Sequence, residues 1–240
     1  MVRLHHVEST MAQPATPGQE VEFKLRVPDG EALEALGRAA GGEPLETVLQ
    51  VNHFLDTAAR HLDRARFTLR LRDEDGRFFL TVKAPLAGGV GGALSRKAEE
   101  EVETSPAVAK GILEGSVLPL DVLAGAPGGT DARAQLVAAV RAATGGEPVR
   151  HVGAFQNRRT RWPARLRTPG GHVDVVLELD RTTFPGNVTH HEVEVEVGPG
   201  ASPADVEEGL QDLFQRAGVT GSPSSSKAGR FFAALDGRPF

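Results

Sequence analysis

The chain has 240 residues, 40% of them hydrophobic and 25% charged, which suits one large globular domain or two small ones. It has no cysteine, so disulfides, thiolate metal sites and a cysteine nucleophile are excluded. The formal net charge of −5 argues against a nucleic-acid partner, which calls for a basic excess.

No stretch approaches the roughly 20 apolar residues of a membrane helix. Residues 1–18 (MVRLHHVESTMAQPATPG) lack the apolar core of a signal peptide. The expected location is therefore the cytoplasm, with no membrane partner, and residues 1–18 are expected to form a poorly ordered tail before a folded domain over 19–240.

QEVEFKLRV (19–27) alternates apolar and charged residues, the period of a strand with one apolar and one charged face. Residues 29–40 carry Leu33 and Leu36 on one helical face. VLQVNHFLDT (48–57) reads as a strand. RFTLRLR (66–72) alternates again and turns at DEDG (73–76), whose Asp-Gly step is a hairpin signal, into RFFLTVK (77–83). The Gly-rich stretch 84–95 lacks the pattern of a phosphate loop. KAEEEVE (97–103) is the next strand.

Helices follow at 105–115, opened by Ser-Pro, and at 131–144. Strands resume at 154–162, 172–180 and 190–197, and helices close the chain at 202–218 and 224–235. Strands, then helices, then strands and helices again favour one α+β domain on a mostly antiparallel sheet.

The charged faces separate by sign. Glu20, Glu22 and Lys24 come from the first strand, Arg70 and Arg72 from the third, and Lys83 from the fourth. Later strands give Arg159 with Arg161, then Asp174, Glu178 and Asp180, then Glu192, Glu194 and Glu196. Two like charges ~4 Å apart cost about 4 kcal/mol at an effective dielectric near 20. A confined Glu-Val-Glu-Val-Glu run therefore calls for a cation, and carboxylate oxygens are the ligands that Mg²⁺ and Mn²⁺ prefer. Clustered Arg and Lys call for an anion rich in oxygens, such as phosphate. A closed barrel with acidic and basic walls would receive a metal–polyphosphate. The competing reading makes each residue a solvated surface charge in an ion pair worth ~0–1 kcal/mol. Segregation over seven strands favours the receptacle.

Further motifs occur in order over 19–235: Glu20-x-Glu22-x-Lys24, NHFLDT (52–57), TLRLR (68–72), LTVKAP (80–85), SRKAEEEVE (95–103), RRTRW (158–162), LELD (177–180) with HEVEVEV (191–197), and SSSKAGRFF (224–232). In these the chain resembles the CYTH family, also called triphosphate tunnel metalloenzymes. The resemblance implies an eight-stranded antiparallel β-barrel with a hydrophilic tunnel and helices packed outside. Family members hydrolyse inorganic triphosphate, thiamine triphosphate or nucleoside triphosphates, or cyclise ATP, and use divalent metal.

By position, the resemblance implies that Glu20 and Glu22, with Glu192 and Glu194, hold Mg²⁺ or Mn²⁺, with Asp180 and Glu196 as further candidates. Lys24, Arg70, Arg72, Lys83, Arg159 and Arg161 would hold the triphosphate and stabilise charge in catalysis, joined by Arg96. Where the family has an acid two residues after that arginine, this chain has Ala98. Two readings follow: Lys97 takes the inward place in register with Glu99 and Glu101, or a bulge re-aims Arg96. Lys227 reads equally as a tunnel lid or as a solvated helix start. His190 and His191 read as solvated, and Ser224 to Ser226 have no partners for a serine nucleophile.

The expected function is metal-dependent hydrolysis of inorganic triphosphate to diphosphate and phosphate. Aromatic residues are 5% of the chain, with no tyrosine, so few side chains are at hand to clamp a base or a thiazole. The alternatives are a class IV-type adenylate cyclase, a thiamine triphosphatase, or a polyphosphate-binding barrel without chemistry. The last need not keep both Glu-x-Glu pairs, and this chain does.

Overall fold

The computed structural model of the chain describes residues 19–86 and 92–239. The tail expected over 1–18 and residues 87–91 of the Gly-rich stretch lie outside the described residues. β1 (Gln19–Val27) leads through α1 (Gly30–Ala40) to β2 (Glu46–Asp56). A short α2 (His61–Arg64) precedes the hairpin of β3 (Thr68–Glu74) and β4 (Arg77–Pro85), and β5 (Leu94–Thr104) follows. Three helices, α3 (Pro106–Glu114), α4 (Pro119–Gly125) and α5 (Asp131–Thr144), lead to β6 (Arg150–Thr168), β7 (Gly171–Phe184) and β8 (Val188–Glu196). The chain ends with α6 (Pro203–Ala217), the two-residue β9 (Ser222–Pro223) and α7 (Lys227–Leu235).

All strand pairs are antiparallel, in the order β5-β4-β3-β2-β6-β7-β8-β1, and β1 pairs back onto β5 to close an eight-stranded barrel. β5 covers only the first half of β1, through Phe23 opposite Leu94; β9 takes over at Leu25 and Arg26. The expected α+β single-domain barrel is the observed fold.

Local chemistry explains the elements. Asp29 caps α1 by accepting from the Ala32 N–H at 2.9 Å, and Ser226 caps α7 by accepting from the Gly229 N–H at 3.1 Å. Asp75 (φ 50°) and Gly76 (φ 86°) are both left-handed, the two-residue turn that matches strand twist. β6 and β7 run longer than the expected 154–162 and 172–180, and β6 continues through Pro163. Pro163 is tolerated because β2 has already ended at Glu46, opposite Arg161, so the side on which Pro163 lacks an N–H is unpaired. The short helices α2 and α4 were not expected.

The apolar faces of the strands point outward. Val21, Phe23, Leu177, Leu179, Val193 and Val195 pack under α1 and α6. Leu69, Leu71, Leu80 and Val82 pack under α2 to α5. Trp162 lies on Gly37 of α1, where an added Cβ would come within 2.9 Å of the ring, and donates its indole N–H to the Gly41 carbonyl at 2.8 Å. A third cluster, Phe54, Phe155, Phe184, Phe231 and Phe232, seats α7 against β2, β6 and β7. Burying the apolar faces outside leaves the charged faces to line the interior.

Candidate active site

Register determines what the interior contains, because residues opposed across antiparallel strands share a face. Glu22 faces Glu196 and Lys24 faces Glu194 across β1–β8. Glu178 faces Glu194 and Asp180 faces Glu192 across β7–β8; Arg159 faces Asp180 and Arg161 faces Glu178 across β6–β7. Arg70 faces Thr81, and Lys83 faces Glu99. They enclose a cavity of about 440 Å³. Among the residues expected to form the site, Glu20, Glu22, Lys24, Arg70, Arg72, Lys83, Arg159, Glu194, Glu196 and Lys227 line it. Arg161 sits at the rim, 2.5 Å from Glu46 and 3.3 Å from Glu74.

Asp180 and Glu192 lie behind the lining, fully buried. With Glu194 they bring carboxylate oxygens within 4.8 Å of one another, the one such group among the described residues. The chain supplies its own cations there. Lys227 Nζ is 2.7 Å from Asp180 and 2.8 Å from Glu194, and also contacts Glu192. The Arg159 guanidinium donates to both Asp180 oxygens at 2.8 and 2.6 Å and reaches Glu194 at 2.6 Å. Arg230 pairs with Glu192.

Burial penalises the charged forms of Asp180, Glu194, Lys24, Arg159 and Lys227, but the opposite charges outweigh it. The Asp180 and Glu194 carboxyls are held below their ordinary range by Arg159, Lys227 and Lys24. Despite burial, Lys24 and Arg159 are held well above theirs, and Lys227 is pushed up to about 12 by Asp180, Glu192 and Glu194.

A second acidic wall has a different balance. Glu20 pairs with Lys83 at 2.7 Å, and Glu22 with Lys24 at 2.9 Å. Glu196, at the rim, has no hydrogen bond or ion pair among the described residues. Burial and the carboxylates of Glu20, Glu178, Glu99 and Glu22 push its carboxyl above the ordinary range. This under-compensated wall has the donor chemistry for Mg²⁺ or Mn²⁺, which bind through one or two carboxylates and fill the remaining positions with water and phosphate oxygens. The expected metal ligands Glu20, Glu22, Glu192 and Glu194 do not share one cluster here. Lys24 stands between Glu22 and Glu194, and the four carboxylates fall into two groups.

Of the two readings for Arg96 and Lys97, the register favours Lys97 as the inward residue and places Arg96, named among the expected substrate-binding residues, outside the cavity lining. Register runs without a shift from Gln19 opposite Ala98 to Phe23 opposite Leu94, so no bulge re-aims Arg96. Arg96 opposes Val21, an outer-core residue, while Lys97 opposes Glu20 and lines the cavity. His190 is buried rather than solvated: it lies 3.1 Å from Arg230 and against Phe184. Burial, then Arg26 and Arg230, lower it to about 4.

Sequence reasoning missed several neutral liners. Asn157 donates to Asp180 at 3.0 Å and to Gln50 at 2.9 Å, and accepts from Thr182 at 2.9 Å. Gln50 and Asn52 could have been found, because both share the inner face of β2 with Phe54. Arg230 also left a signal, lying one helical turn beyond Lys227.

A family model described as the CYTH domain matches residues 18–232. Among solved structures, HpAC1 from Hippeastrum, described as a candidate adenylyl cyclase with a dominant triphosphatase activity, is 27% identical. It has a TM-score of 0.70, with 92% of this chain and 97% of that one covered. A candidate adenylate cyclase from Bacillus halodurans is 22% identical, with a TM-score of 0.59 over 90% of this chain and 99% of that one. The PH1819 protein of Pyrococcus horikoshii is 16% identical, with a TM-score of 0.51 over 90% and 99%. The latter two share the fold alone. No curated protein matches the chain in sequence. With its family match over 18–232 and a closed barrel around a charged cavity, the chain belongs to the CYTH domain family, whose members are divalent-metal-dependent triphosphatases and cyclases.

Proposed function

We propose that the protein is a metal-dependent triphosphatase that hydrolyses inorganic triphosphate to diphosphate and phosphate. The observation that carries this reading is the cavity itself, in which Arg70, Arg72, Lys83 and Arg159 face an acidic wall of Glu20, Glu22 and Glu196. HpAC1, the 27% identical neighbour, supports hydrolysis over cyclisation through its dominant triphosphatase activity. The small inorganic substrate is supported by the aromatic liners. Phe54 and Phe155 are 2% and 3% exposed, and Phe54 stacks on Phe231 at 4.5 Å, so neither ring offers a free face to a base.

In this reading Glu20, Glu22 and Glu196 hold Mg²⁺ or Mn²⁺. When bound, the metal neutralises phosphate oxygens and draws charge from the bond that breaks. The protein's own residues position the substrate. Arg70, Arg72 and Arg159 present guanidinium forks, and Lys24 and Lys83 point charges, to the phosphate oxygens. Water attacks the terminal phosphorus in line, the phosphoanhydride bond breaks, and diphosphate leaves stabilised by the same cations. No covalent intermediate is needed.

The test is phosphate release from inorganic triphosphate, thiamine triphosphate and ATP under Mg²⁺ and Mn²⁺, with cyclic AMP followed in parallel. Triphosphate is expected to turn over fastest. Cyclic AMP as the main product from ATP, with triphosphate inert, would replace this reading with the cyclase.

A further inference from the structure

The basic residues of the cavity are not equivalent. Lys24 is held by Glu22 and Glu194, and Lys83 by Glu20 and Glu99, each at 2.7–2.9 Å. Arg72 is held by Glu101 and Glu74, Arg159 by Asp180 and Glu194, and Lys227 by Asp180 and Glu194. Arg70 reaches Thr81 at 3.4 Å and lies 3.8 Å from Glu101. Lys97 also lines the cavity, yet among the described residues it makes no hydrogen bond and no ion pair.

An incoming anion must compete with a carboxylate for each engaged cation. At Lys97 it meets no carboxylate at ion-pair distance among the described residues, Glu22 and Glu20 attracting that ammonium only from farther away. We propose that Lys97 is the primary anchor for the triphosphate, the cation that captures a phosphoryl group before the engaged residues exchange their carboxylates for phosphate oxygens. This rests on the triphosphatase reading for the identity of the anion.

Two features carry the assignment. Register places Lys97 on the inner face opposite Glu20 and puts its neighbour Arg96 outside with Val21, so the sequence Ser95-Arg96-Lys97 delivers one cation to the cavity. The Lys97 ammonium is costly as it stands: burial, then Lys24 and Lys83, lower it to about 8. An anion bound there relieves the repulsion among these three lysines, whereas at Lys24 or Lys83 alone it adds to charge already matched.

The experiment measures binding of inorganic triphosphate by calorimetry in excess chelator, so that no turnover contributes. Three variants are compared with the unmodified protein, each checked for a melting temperature no lower than that of the unmodified protein. Lys97→Met is expected to weaken binding about tenfold or more, the scale of losing one charge-assisted contact. Lys97→Arg is expected to restore most of it. Arg96→Met, one residue along and facing outward, is expected to leave affinity within about twofold. Triphosphate affinity unchanged in a folded Lys97→Met, or lost in Arg96→Met instead, would overturn the assignment. Its failure is distinguishable from failure of the functional reading: triphosphate bound through Lys97 but never hydrolysed sinks the triphosphatase alone, while hydrolysis with affinity indifferent to Lys97 sinks the anchor alone.

Discussion

The Lys227 ammonium lies 2.7 Å from the Asp180 carboxylate, which is fully buried. The contact ties the first residue of α7 to the barrel wall, and Arg230, one turn on, ties it again through Glu192. Removing one partner of a buried pair leaves an uncompensated charge and costs roughly 3–5 kcal/mol. Lys227→Met is therefore expected to lower the unfolding free energy in urea, and with it the midpoint, by an amount near the bottom of that range, because Arg159 still serves Asp180. An unchanged midpoint would mean that α7 is held by Phe231 and Phe232 alone.

The same cluster sets a pH dependence of stability. Asp180 and Glu194 have folded values below their ordinary 3.8 and 4.5, so both bind fewer protons folded than unfolded. Their contribution is complete above about pH 4.5 and is lost as pH falls through the lower folded values. Lys227, raised from 10.5 to about 12, contributes fully below about pH 10.5 and loses its contribution as pH rises toward 12. This cluster's own contribution is level between these limits and falls on the acid side, where His190, held down to about 4, adds to the loss below its ordinary 6.5; Lys97, held down to about 8, adds stability as pH rises from 8 toward 10.5. A melting temperature that rises on acidification below pH 4.5 would contradict the assigned charges.

The two acidic groups are separable by substitution. Glu196→Gln removes the carboxylate that lacks a cation, so it should weaken Mn²⁺ binding and reduce turnover by roughly 10²-fold at fixed metal, with little change in stability. Glu192→Gln removes a carboxylate held by Lys227, Arg230 and Ser224, so it should lower stability more than metal affinity. Titration of Mn²⁺ by electron paramagnetic resonance, alongside denaturation, distinguishes the two. The reverse pattern would place the metal in the Asp180 cluster.

Adjacent residues of β1 give opposite phenotypes. Phe23 is 2% exposed in the outer core, and its truncation to Ala is expected to cost ~3–5 kcal/mol while the folded fraction keeps its triphosphate affinity. Lys24 faces inward, and Lys24→Met is expected to weaken triphosphate binding. Equal loss of affinity in both variants would show that the two faces are not insulated.

Much of this was legible before folding. The period of two in Gln19–Val27 and in Val188–Glu196 already separated an apolar from a charged face, and the Asp75-Gly76 turn already joined β3 to β4. What the sequence concealed depends on register and on partners distant in the chain. Whether Arg96 or Lys97 faces inward depends on β5 pairing with β1, more than 70 residues away. That Glu192 and Glu194 meet Lys227 of α7 depends on where a C-terminal helix docks. The length of β6 was concealed by Pro163, which is a strand breaker only where β2 is still alongside.

The central claim is that the cavity hydrolyses inorganic triphosphate with a divalent metal. Phosphorus-31 magnetic resonance of triphosphate incubated with the protein tests it most directly, because substrate and both products are resolved. With Mg²⁺ or Mn²⁺ the triphosphate signals should give way to diphosphate and phosphate in equal amounts, and excess chelator should stop the conversion. Persistent triphosphate under both metals, or conversion undiminished by chelator, would contradict the account.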